Sequence, residues 1–88
     1  MRERLLEQRL VRGAKLAGGL ALKWVSPSTA GVMDRIVFLP GGRVIFVELK
    51  APGKQLSPLQ TRMAAALGAL GADVRCVDSA EAVDAIFA

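Results

Sequence analysis

Asp34 and the tripeptide Glu48-Leu49-Lys50 stand on either side of a Pro40-Gly41-Gly42 segment, with fourteen positions separating the two acids. Two carboxylates that a hairpin brings together, with an ammonium just beyond the second, form the set that metal-assisted hydrolysis of a phosphodiester requires. The acids hold a divalent cation and the lysine handles water or charge. Whether the acids meet depends on the register of the hairpin. A three-residue loop of Pro40, Gly41 and Gly42 pairs Leu39 with Arg43 and sets Asp34 opposite Glu48. Such loops favour a type I turn followed by a left-handed residue, which suits Pro first and Gly last. A two-residue loop would set Asp34 opposite Leu49 and send the acids to opposite faces of the sheet. The turn residues select the first register, in which Lys50 shares the face of Glu48.

The bland alternatives are weaker for this group than for its neighbours. A carboxylate inside an apolar strand, as Glu48 is, needs a cation to offset its desolvation. Lys50 alone would satisfy it as an ion pair, but Asp34 on the same face leaves one negative charge over, and a divalent metal restores the balance. The Leu49 backbone carbonyl is a further hard-oxygen ligand. Lys50 then orients the attacking water, assists its deprotonation or stabilises the charge developing on phosphorus. Lys23, Arg35, Lys54 and Arg62 are candidate phosphate contacts, each otherwise a solvated charge. Trp24 either stacks on a base or packs in the core. Gly53-Lys54 hints at a phosphate-binding loop, but Gln55 replaces the required Ser or Thr and Glu48 stands in place of the first Gly, so no nucleotide cofactor is expected.

The elements that must carry these residues are readable from period and punctuation. Arg2 to Ala17 is an amphipathic helix with Leu6, Leu10, Ala14 and Ala17 on one stripe, ended by Gly18-Gly19. Leu20 to Val25 is a strand and residues 26–31 a loop. Strands follow at Asp34 to Leu39 and Arg43 to Lys50; the second is apolar at consecutive positions and is expected to be central and covered on both faces. A second helix begins at Ser57, with Pro58 as its first residue, Leu59, Met63, Leu67 and Leu70 as a buried stripe and Gly71 at its end. Asp73 to Val77 is a strand reached through a helix and so parallel to its neighbour. Ser79 to Phe87 closes the chain as a short helix. The expected fold class is α/β, a small mixed β-sheet flanked by helices in the order αβββαβα, forming a single domain over residues 1–88.

Composition narrows the chemistry. Eighty-eight residues support one modest core, so a dimer would add stability. Twelve Lys and Arg against eight Asp and Glu give a net charge of +4, which suits a polyanion such as nucleic acid. The sequence contains 0 histidines, which removes His-dependent nucleophiles, bases and metal ligands and leaves carboxylate, lysine and metal to do any catalysis. The single Cys76 reads as a small buried hydrophobe. Met1 to Val11 alternates charges with leucine and shows no signal-peptide core, and no apolar run approaches a membrane span of about 20 residues. A cytoplasmic protein without a membrane partner is expected.

The chain resembles the VRR-Nuc family, a branch of the PD-(D/E)XK nuclease superfamily. The resemblance rests on Gly18-Gly19, Lys23, Ser26-Pro27, Gly31, Asp34-Arg35, Pro40-Gly41-Gly42, Glu48-Leu49-Lys50, Pro52-Gly53, Ser57-Pro58-Leu59-Gln60 and Leu70-Gly71-Ala72, in order along nearly the whole length. Met33 departs from it, since the family has Pro before the Asp. The resemblance implies a Mg²⁺- or Mn²⁺-dependent endonuclease acting on DNA as a homodimer, with branched DNA such as Holliday junctions as substrate. It also implies a helix-borne glutamate at the site, Glu7 in preference to Glu3, although Glu3 equally suits the positive start of its helix. Gln60 becomes an active-site residue, while Ser57 to Gln60 also fits a capping box. The rival reading is a non-catalytic module on the same scaffold that binds branched DNA.

Overall fold

The first helix forms because Leu6, Leu10 and Ala14 recur at four-residue spacing and are wholly removed from water. In a computed structural model describing residues 2–88, this helix, α1, spans Glu3–Leu16. Met1, the first residue of the stretch weighed as a signal peptide, lies outside the described residues. Strand β1 (Leu20–Lys23) follows, then β2 (Arg35–Leu39), β3 (Arg43–Leu49), α2 (Pro58–Ala69), β4 (Asp73–Val77) and α3 (Ala80–Ala85). The order αβββαβα and the α/β class are as expected, with strand and helix ends a residue or two shorter. Ser79 caps α3 by accepting from Ala82 N at 3.1 Å.

The four strands lie in sequence order, β1-β2-β3-β4, antiparallel except for the parallel β3–β4 pair. Leu39 pairs with Arg43 and Arg35 with Val47, which is the register of the three-residue loop. The turn itself differs from the expected type: Gly41 as well as Gly42 has positive φ, 85° and 80°. A left-handed second residue after Pro40 is the type II arrangement, and glycine alone enters it without strain.

One sheet face carries Ala21, Val37, Leu39, Ile45, Val47, Leu49 and Val77 into a core completed by α1, by Val83 of α3 and by Ile86 just after it. Each fully buried leucine removes about 1.5–3 kcal/mol worth of apolar surface from water. The other face is largely open. Leu20, Phe38 and Val44, which line up across β1, β2 and β3, are all exposed. The expectation that β3 is covered on both faces is therefore corrected: it is central by pairing, yet its consecutive apolar residues face a core on one side and solvent on the other. The buried stripe expected on α2 is corrected too. This helix packs mainly on the edge strand β4, leaving Met63 and Leu67 half-buried and Leu59 and Leu70 at 48% and 86% exposure. No helix among the described residues is long and apolar enough to cross a membrane.

Candidate active site

The hairpin register carries one step beyond the paired strands and brings Asp34 against Glu48. Asp34 N donates to Glu48 Oε1 at 3.1 Å, and Leu49 N donates to Asp34 Oδ2 at 3.0 Å. Each acid thus holds the backbone of the other's strand. Trp24 N donates to Asp34 O at 3.1 Å, tying the end of β1 to the same point. Glu48 is 1% exposed and is the one polar residue in the buried set among the described residues. Lys50 Nζ stands 3.5 Å from Glu48 Oε2 on the same face.

Glu48 is held at a pKa of about 7, above the ordinary 4.5. Burial is the largest cause, the neighbouring Asp34 charge adds to it, and Lys50 opposes both. Two carboxylates in contact share a proton or a cation more readily than they both ionise. Because the native state binds the proton more tightly, the stabilisation from protonated Glu48 is full below about 4.5 and lost above about 7. Metal-free protein is therefore expected to lose roughly 2–3 kcal/mol between pH 4.5 and pH 7.5. Thermal melts in EDTA check this. The Glu48→Gln variant is expected to lack this component of the pH dependence.

Gln60 reaches the pair from the start of α2. Its side-chain oxygen accepts from Ser57 N at 3.1 Å and its backbone N donates to Ser57 Oγ at 3.2 Å, completing a capping box. Its Nε2 also donates to Glu48 Oε2 in a short contact. The capping role and the contact with the acid pair therefore coexist in one amide, whose orientation both ends fix. The start of α2 is in turn seated by Gly31, where φ is +83° and a Cβ would lie 2.7 Å from the Leu59 carbonyl oxygen. Gly31→Ala is expected to destabilise the protein by about 1–3 kcal/mol, read as a lowered Tm, through backbone strain and displacement of α2.

Other candidates fall elsewhere. Glu7 is not brought to Asp34 and Glu48: its Oε2 accepts from Arg35 Nε at 2.9 Å. Arg35 Nη1 donates to the Ala21 carbonyl at 2.9 Å, so Arg35 is corrected from a free phosphate contact to a tie between α1, β1 and β2. Alternation explains both placements, because Arg35 points to the face opposite Asp34 and meets α1 there. Glu3 is exposed in the first turn of α1. Among the described residues no group of three or more acidic, cysteine or histidine side chains is placed to hold a metal. The candidate is the two-acid pair with backbone oxygen. Lys23, Lys54 and Arg62 are exposed. Trp24 is half-buried and packs on Phe46, with ring centroids 5.2 Å apart, on the open face rather than in the core.

Cys76 is exposed, which corrects its reading as a buried hydrophobe. It pairs with Glu48 in the parallel ladder and so stands on the acid-bearing face. Partial burial, then the Glu48 and Asp78 charges, push its thiol pKa up, which keeps it protonated and a poor nucleophile. Its proximity to the acids is invisible until the β3–β4 register is known.

Comparison with known proteins finds relatives in both sequence and structure. The chain is 49% identical over 79 residues to "Putative nuclease p44" of Acyrthosiphon pisum secondary endosymbiont phage 1, covering 90% of this chain and 85% of that protein. A solved structure of a VRR_NUC domain superposes with a TM-score of 0.89 and 29% identity, covering 96% of this chain and 91% of the other. No family model matches.

Proposed function

The chain belongs to the VRR-Nuc family, and from that premise we propose that it is a divalent-metal-dependent DNA endonuclease, cutting phosphodiester bonds in branched DNA such as Holliday junctions as a homodimer. The observation that carries the reading is the reciprocal bonding of Asp34 and Glu48, with Lys50 3.5 Å from Glu48. The donor set fits Mg²⁺ or Mn²⁺: two carboxylates, one of them buried with a raised pKa, and the Leu49 carbonyl, all hard oxygens. When bound, such an ion supplies Lewis-acid polarisation of the phosphate and a lowered pKa for a water molecule.

The chain's own groups do the rest. Among the described residues Lys50 carries the ammonium at the pair, and it is suited to orient the attacking water or to stabilise negative charge gathering on the phosphoryl oxygens. Gln60 holds Glu48 Oε2 in place. Water oxygen adds to phosphorus, the P–O3′ bond breaks, the water gives up a proton and the 3′ oxygen takes one, leaving 5′-phosphate and 3′-hydroxyl ends. Lys23, Lys54 and Arg62 contribute exposed charges for neighbouring phosphates.

The homodimer is supported by the open sheet face, where Leu20, Leu22, Phe38 and Val44 form an exposed apolar patch of the kind that marks a protein interface. Branched DNA is supported by size: so small a domain has little surface for reading bases, and paired sites in a dimer select by shape. A panel of plasmid, linear, flap and four-way-junction DNA tests the proposal. Cleavage of the junction in Mn²⁺, its loss in EDTA, and slower cutting of linear duplex are expected; metal-independent cutting or none on any substrate would refute it.

A further inference from the structure

We infer that the outer face of α1 is a second DNA-binding surface, holding the phosphates of a duplex arm away from the cleavage site; this rests on the reading of DNA as substrate. Residues 2–16 carry five basic side chains against two acids, three of the four net positive charges of the chain. Arg4, Gln8, Arg12 and Lys15 are all exposed, opposite the buried Leu6, Leu10 and Ala14. At four- and three-residue spacing they form one stripe along the helix.

The charge on this stripe is uncommitted. Arg9 is bound to Asp84 at 2.7 Å, and Glu7 is neutralised by Arg35 at 2.9 Å. Arg4, Arg12 and Lys15 have no carboxylate within 4.0 Å among the described residues. The stripe lines a groove of about 560 Å³ with Val11 and Leu16 in its walls. Cations for phosphate oxygens, an amide that donates and accepts, and aliphatic walls for sugar edges match a nucleic-acid backbone, and they suit neither an acidic peptide's backbone nor an apolar partner as well. From Arg4 to Lys15 the helix rises about 16 Å, several steps of a duplex at about 3.4 Å per base pair.

The surface is separate from the acids yet within reach of the same molecule. Arg35, in the floor of the groove, adjoins Asp34 in sequence but points to the opposite sheet face. The protein measures 22 Å across its shortest extent, about six base-pair steps. A branched substrate with one strand at the acid pair has a further arm to lay along α1. Helix-compatible substitutions remove the charge without breaking the helix, since glutamine is nearly as good a helix former as arginine or lysine.

The test is anisotropy binding of a four-way junction in EDTA, so that nothing is cut, over a series of salt concentrations. The triple variant Arg4→Gln, Arg12→Gln, Lys15→Gln is expected to lower the slope of log affinity against log salt by about 2–3, since each phosphate contact contributes about 0.9. Lys15→Gln alone is expected to lower it by about 0.9, which guards against misfolding of the triple variant. A wild-type slope in both variants would overturn the inference while leaving Mn²⁺-dependent cleavage, and so the proposed function, intact. Absence of any DNA binding by the wild-type chain would overturn both.

Discussion

Glu48→Gln is expected to fold normally and to cut DNA at least about a thousandfold more slowly, a loss on the order of 4 kcal/mol in transition-state stabilisation. The amide keeps the volume of a side chain that is 1% exposed, and it removes a charge whose burial is costly in the metal-free protein. Stability in EDTA at pH 8 should therefore be equal or higher even as activity disappears. Asp34→Asn is expected to show the same pairing of intact fold and lost cleavage, because the amide oxygen, turned to the place of Oδ2, still accepts from Leu49 N. Single-turnover cleavage of a four-way junction in Mn²⁺, run beside thermal melts, measures both quantities. A variant that loses activity only by losing its fold would leave these acids as structural groups.

The second large effect belongs to Lys50. Lys50→Met removes the ammonium 3.5 Å from Glu48 Oε2 and is expected to slow cleavage by about two to three orders of magnitude, the scale of losing one electrostatic stabiliser of the transition state. Metal binding should survive, with a condition on pH. Lys50 pulls the Glu48 pKa down against burial and Asp34, so its removal raises that pKa further and strengthens proton competition with the metal near neutrality. At pH 8.5 Mn²⁺ affinity is expected to return close to the wild-type value while cleavage stays low. Calorimetric Mn²⁺ titration at pH 7 and pH 8.5, set against the cleavage rate, separates a catalytic lysine from one that merely keeps the site assembled.

The central placement was legible because a few residues determine it. Pro40-Gly41-Gly42 sets the loop length, loop length sets the register, and the register makes Asp34 meet Glu48 and puts Lys50 beside it. The finer turn type was misread, yet both types span the same number of residues, so the pairing is unaffected. Ser57 to Gln60 was similarly local: a capping box is written in four consecutive residues and appears as such.

What escaped the sequence depends on distant partners. Helical period places Leu59, Met63, Leu67 and Leu70 on one stripe but does not say what the stripe faces, and α2 rests on an edge strand that covers only its middle. The apolar run in β3 fits a doubly covered strand equally well as one with a core face and an open face; only the absence of a second layer over Phe38 and Val44 decides. Glu7 faces inward as its helical angle requires, yet its partner is Arg35, whose side chain alternation sends it to the α1 side. Cys76 required the β3–β4 register before its place opposite Glu48 was visible.

The proposed cleavage requires a divalent ion shared by Asp34 and Glu48. Crystals soaked in Mn²⁺ and measured at the manganese absorption edge give the most direct test. An anomalous peak lying between the two carboxylates, present in wild type and absent in Asp34→Asn, is the predicted result. Manganese bound elsewhere, or no peak at a concentration that supports cleavage, would contradict it.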